Sequence, residues 1–115
     1  MSRLMSVSLT EQAVVERRKT VTRRKGWTFL KPGDRLTLCR KVMGRRKGEP
    51  LVRLAEVEVV SVRRERLSDV TMGDVVREGF NAPWYTPEWF VQFFTYHVGG
   101  YPRQEVTRIE WRYLP

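Results

Sequence analysis

Nine consecutive residues, Arg17-Arg18-Lys19-Thr20-Val21-Thr22-Arg23-Arg24-Lys25, set six basic side chains around two hydroxyls. Such a stretch suits two kinds of chemistry. Gathered on one surface, the cations repel one another unless an anion neutralises them, and the phosphates of a nucleic acid are the natural partner. The same segment carries Lys19, Thr22 and Arg24 in the spacing Lys-x-x-Thr-x-Arg. That set supplies an amine base, a hydroxyl nucleophile and a guanidinium for an oxyanion, carboxylate or phosphate. Backbone geometry restricts the catalytic option, because side chains three apart in one regular strand lie on opposite faces. Lys19 and Thr22 can share a site only if Lys19 sits in a corner ahead of the strand that holds Thr22.

The flanking sequence predicts that corner. Leu4 to Leu9 reads as a short strand, Thr10 as a helix N-cap, and Glu11 to Glu16 as a short helix, so the basic stretch begins where a helix ends. The β-branched Thr20-Val21-Thr22 opens a strand that Gly26-Trp27 breaks. Lys31-Pro32-Gly33-Asp34 is a turn, and a strand follows over Arg35 to Val42. Leu51 to Arg63 is a long β-branched strand whose alternation changes parity near Ala55 and again near Val60, the signature of a bulge or a barrel bend.

Leu67 to Thr71 offers capping residues ahead of a short helical segment, Gly73 to Gly79, that bears Glu78. Thr86-Pro87-Glu88 starts a helix that runs to about Tyr96, before Gly99-Gly100. Its face of Trp89, Phe90, Phe93, Phe94 and His97 reads as core, with His97 a core or capping residue. Glu105 to Leu114 is a closing strand, with Thr107, Ile109, Trp111 and Tyr113 facing one way and Arg108, Glu110 and Arg112 forming a polar outer face. The pattern is α+β: a partly closed β-barrel with two or three flanking helices.

Composition narrows the function. The 115 residues fit a single domain spanning 1–115, and the net charge of +9 favours an acidic polymer or surface over a neutral partner. The only cysteine, Cys39, excludes an intramolecular disulfide and fits a reducing, cytoplasmic setting. With His97 the only histidine, no Cys/His zinc site is available, no acidic cluster marks another metal, and no cofactor is expected. No signal peptide or membrane span is expected. Beyond Arg17, Arg18, Arg23 and Arg24, a loop from Gly44 to Pro50 presents Arg45, Arg46 and Lys47 for a phosphate backbone. Trp84 and Tyr85, after Pro83, are candidates to stack a base, as is Trp27.

The order of several segments resembles the ASCH family, small domains with a PUA-like β-barrel. The segments are Arg18 to Arg24, Lys31-Pro32-Gly33-Asp34, Ala55-Glu56-Val57-Glu58-Val59, Arg77-Glu78-Gly79-Phe80 and Glu88-Trp89-Phe90. The resemblance implies a cleft between barrel and helices for RNA, another nucleic acid, or a nucleotide or modified nucleoside. Within that family some members resemble RNA-binding modules, some nucleases, and one bacterial branch deacetylates N4-acetylcytidine. By position, Lys19, Thr22 and Glu78 match the Lys, Thr and Glu assigned to that amidohydrolase. Arg17 stands where the family usually has Gly, so the loop that aims Lys19 is expected to differ.

Binding of RNA or a nucleotide in a basic cleft is therefore the first expectation. The alternative is an amidohydrolase in which Thr22 attacks an amide carbonyl, Lys19 takes its proton and Glu78 orients the pair. A ribonuclease, or a noncatalytic module for an acidic partner, would use the same charge.

Overall fold

A computed structural model describes residues 2–115. Its five strands are β1 (Arg3–Ser6), β2 (Val21–Arg24), β3 (Arg35–Cys39), β4 (Arg53–Arg66) and β5 (Glu105–Tyr113), and its helices are α1 (Glu11–Val15), α2 (Met72–Arg77) and α3 (Pro87–His97). The strands form one sheet in the order β1-β3-β4-β5-β2, curled into a half-barrel. β1 pairs with β3 in parallel, and every other pairing is antiparallel.

The curl originates in β4. Its register shifts against β5 between Val59 and Ser61, and the register between β3 and β4 shifts at Leu38/Cys39, opposite Leu54. These are the two places where the alternation changes parity. Each bulge adds one residue to β4 and bends it, so that Val57 and Val59 enter the core while Val60 faces outward. The inner face packs Met5, Leu36, Leu38, Val57, Val59, Ile109 and Trp111 into one cluster, which Val14 of α1 closes. A second cluster, built around Leu67, Val75, Phe90, Phe94 and Val106, fixes α2 and α3 to the far end of β4 and β5. Thr71 and Thr86 cap α2 and α3 by accepting from the backbone N–H of Asp74 and Trp89, each at 3.1 Å.

Several expectations are corrected. β1 ends at Ser6 because Val7 turns into a 3-10 segment over Ser8–Thr10, although Val7 N–H still reaches the Cys39 carbonyl at 2.9 Å. β3 stops at Cys39. Arg108 is buried rather than part of a polar outer face, because α2 covers that end of β5 and meets it with Asp74. Only Phe90 and Phe94 of the α3 aromatic stripe are fully buried, since α3 docks along one edge; Trp89 and Phe93 are half-buried and His97 is exposed, its ring against Phe93.

Trp111 joins the core to the corner after α1, with its indole N–H donating to the Lys19 carbonyl at 3.0 Å. In urea denaturation, Trp111→Ala should cost about 3–5 kcal/mol and Trp111→Phe, which chiefly loses the hydrogen bond, about 1–2 kcal/mol. Wild-type stability in Trp111→Phe would show that the bond contributes nothing.

Candidate functional site

Two helix ends aim the central residues. At the end of α1, Arg17 N–H donates to the Val14 carbonyl and Arg18 N–H to the Ala13 carbonyl, which is a Schellman motif with Arg17 at its left-handed position. Arg17 adopts φ 59°, where Gly is the usual occupant and another residue costs about 1 kcal/mol or more. Arg17 nonetheless holds that conformation, and its guanidinium lies over the Tyr113 ring at 5.2 Å. Lys19 follows, its N–H on the Ala13 carbonyl and its own carbonyl held by Trp111 and the Tyr113 hydroxyl.

The second end is that of α2. Gly79 (φ 115°) donates to Val76 and Phe80 to Val75, a second Schellman motif, with Glu78 as its cap residue. A Cβ on Gly79 would stand 2.8 Å from the Ala13 Cβ, so the two motifs pack directly on each other. The contact brings Lys19 and Glu78 together. Lys19 Nζ donates to Glu78 Oε1 at 2.9 Å and to the Glu78 carbonyl at 2.8 Å, with the two side chains only 3% and 4% exposed.

Arg23 is the hub of the charges beneath. Expected as a nucleic-acid contact on the rim, it is instead 1% exposed and surrounded by carboxylates. It donates to Glu78 Oε2 at 3.1 Å, to Glu65 Oε2 at 2.9 Å and to Asp74 Oδ2. Asp74 also accepts two bonds from Arg108, at 2.7 and 3.0 Å. Three buried cations, Lys19, Arg23 and Arg108, thus meet three carboxylates, and no buried side-chain nitrogen or oxygen among the described residues lacks a partner. Burial alone would raise the Asp74 carboxyl, but the hydrogen bonds and charges of Arg108 and Arg23 outweigh it and hold the group well below the usual carboxylate range. For Lys19, burial lowers the ammonium below its ordinary value against the pull of Glu78, and Arg24 and Arg23 add to the lowering.

A cleft of about 180 Å³ opens above this floor, between the two apolar clusters. Lys19, Thr22, Arg24 and Glu78 lie at its base, Phe80, Phe90, Phe93 and Phe94 form one wall, and Ser6 to Thr10 form the other. The corner does put Lys19 and Thr22 on one cavity, yet they are not hydrogen-bonded to each other. Thr22 Oγ1 accepts from Arg24 Nε at 3.4 Å, while Lys19 is occupied by Glu78. Arg24 Nη2 donates to the Ser6 carbonyl across the open seam between β2 and β1. Burial lowers the Arg24 guanidinium, with Glu78 opposing.

The remaining predicted residues surround the cleft or lie apart from it. Arg17 and Arg18 are exposed, Arg18 pairing with Glu16 at 2.7 Å and reaching the Gly79 carbonyl at 3.2 Å. Arg45, Arg46 and Lys47 are exposed in the loop after β3, whose last residue pairs with Ser6 at the cleft wall. Trp84 is 70% exposed, and Tyr85 packs on Phe80 with centroids 5.4 Å apart, so an aromatic run leads from the cleft wall to the surface. Trp27 packs against the barrel core instead. Sequence reading passed over Asp74 and Glu65 and placed Arg108 on a polar outer face. It also missed Ser6, Ser8 and the phenylalanine wall, for which only the assignment of α3 to the core gave a signal.

No family model and no curated protein sequence matches this chain. Solved structures do. An ASCH domain from Lactobacillus crispatus JV V101 superposes with a TM-score of 0.63 at 11% identity, over 96% of this chain and 79% of that one. A DUF984 protein from Enterococcus faecalis V583 gives 0.61 at 18% identity over 90% of this chain, and an ASCH protein from Zymomonas mobilis gives 0.61 at 14% over 95%. This chain spans 66% and 65%, about two thirds, of those last two. It therefore has the ASCH, PUA-like fold.

Asp74→Ala leaves Arg23 and Arg108 buried with too few carboxylates and should cost about 3–5 kcal/mol. The folded Asp74 carboxyl titrates below its unfolded range of about 3.9, so its stabilisation is complete above that pH and is lost as pH falls toward the folded value. Thermal melts from pH 6 downward should begin to converge for wild type and Asp74→Ala only below about pH 4, and should approach each other further as pH falls; parallel curves would contradict the assignment. Gly79→Ala combines a strained φ with the Ala13 clash and should lose about 2–4 kcal/mol by urea titration.

Proposed function

We propose that this ASCH-fold domain binds a nucleotide unit, either the end or an unpaired residue of RNA or a free nucleotide or modified nucleoside, in the cleft over Lys19, Thr22, Arg24 and Glu78. The observation that carries the reading is the cleft's two-sided character: four phenylalanines on one wall beside a buried, hydrogen-bonding floor. A planar base gains from the aromatic wall and needs polar partners for its edge, and both are present in a cavity too small for a length of polymer. The polymer would continue outside, over Arg17, Arg18, Arg45, Arg46 and Lys47, with Trp84 placed to stack a neighbouring base.

Amide hydrolysis is the second reading, favoured by the Lys19–Glu78 contact at 2.9 Å and the lowered Lys19 ammonium. Thr22 Oγ would form an ester with the acyl carbon as the C–N bond breaks. Its proton would pass through neutral Lys19 to the departing amine, and water would then release the acid. Lys19 must exchange its Glu78 contact for Thr22 before that step.

Binding of single-stranded RNA should weaken with salt, with a log–log slope of about −2 to −3.5 if three to five of these cations touch phosphates. Replacing Arg45, Arg46 and Lys47 by Ala should reduce that slope by about 2, and a slope near zero in wild type would sink the polymer contact. Lys19→Ala and Thr22→Ala should weaken binding of a mononucleotide in the cleft while leaving the salt slope of RNA binding unchanged, and should abolish acetate release from N4-acetylcytidine. If wild type releases no acetate, the hydrolytic reading fails for that substrate.

A further inference from the structure

The floor of the cleft is electrically uneven. Lys19, Arg23 and Arg108 are matched by Glu65, Asp74 and Glu78, but Arg24 has no carboxylate within salt-bridge distance among the described residues. Two of its nitrogens are used, Nε on Thr22 Oγ1 and Nη2 on the Ser6 carbonyl, which leaves Nη1 without a protein acceptor. A partly buried guanidinium with spare donors and no directly paired carboxylate is a seat for a ligand anion.

The wall beside Arg24 carries a second set of unused donors. Ser6, Ser8 and Thr10 line the cleft, and none of their hydroxyls bonds to protein among the described residues. Thr10, which the sequence places as the N-cap of α1, makes no side-chain cap bond. Arg24 and these three hydroxyl-bearing residues line the same cleft as the four phenylalanines. This matches the polarity of a nucleotide, which presents a flat apolar face at one end and several anionic oxygens at the other.

We propose that the cleft takes its ligand as a phosphorylated nucleotide, a 5′- or 3′-monophosphate or the phosphorylated end of an RNA, with the phosphate seated on Arg24 among Ser6, Ser8 and Thr10. The inference rests on the nucleotide-binding reading above and adds to it that a neutral nucleoside is the poorer ligand. Lys19 stays with Glu78 and faces the sugar or base, so Arg24 rather than the lysine is the phosphate's principal cation.

Calorimetric titration of the full chain with the four nucleosides, their 5′- and 3′-monophosphates and inorganic phosphate tests it. At least one monophosphate should bind about tenfold or more tightly than its nucleoside. Arg24→Gln should reduce that advantage to under about threefold, and inorganic phosphate should compete weakly with wild type and not with the variant. Because Arg24 also holds the Ser6 carbonyl, the double variant Ser8→Ala/Thr10→Ala, which removes no protein hydrogen bond, provides an independent reading and should lower the same ratio. If nucleosides and monophosphates bind wild type equally, the phosphate seat is wrong and nucleotide binding stands. If no nucleoside or nucleotide binds, both are overturned.

Discussion

The guanidinium of Arg23 is the interaction on which the rest of this structure depends. It reaches Glu65 on β4, Asp74 on α2 and Glu78 at the α2 cap from its own position on β2. Three segments, β2, β4 and α2, are thereby held in one geometry. Burying so many charges is costly unless each is paired and each lone pair used. Here the pairing is complete, and Arg108 satisfies Asp74 from β5. Such a network adds little net stability over an apolar core of the same volume, but it is intolerant of displacement. That rigidity is what an aligned site requires.

The pair above the hub owes its alignment to two helix ends packed against each other. Both end in Schellman motifs, one at Gly79 and the other at Arg17, and they touch through Gly79 and Ala13. Closeness is possible only because Gly79 has no side chain. At Arg17 the same backbone is reached with strain, in a corner otherwise pinned by Trp111 and Tyr113. Stacking of Arg17 on Tyr113 returns part of that cost.

Within the cleft, charges divide into spent and unspent. Lys19 and Glu78 neutralise each other and face inward, whereas Arg24 and three hydroxyls retain donors that nothing among the described residues accepts. The division separates an aromatic side suited to a base from a polar side suited to oxygen. It also explains why a chain with net charge +9 places only one uncompensated cation at the cleft base: a second would raise the repulsion within a low-dielectric pocket.

Local physics made much of the fold legible in the sequence. The parity changes near Ala55 and Val60 located both β4 bulges, Thr71 and Thr86 announced their helices, and the helix end followed by β-branched residues placed Lys19 in a corner. These features depend on a few neighbouring residues, so the chain states them directly. Arg23 and Arg108 were beyond such reading, because a charge in an alternating strand looks solvated until the helix that covers it is known. Thr10 likewise has the right chemistry for a cap and does not cap. By itself the sequence determined the strands, the turns and the excess of positive charge. Only the tertiary structure decided which cations are neutralised and which one keeps a free donor, since that depends on carboxylates 42 to 55 residues away meeting Arg23 in a space that folding creates.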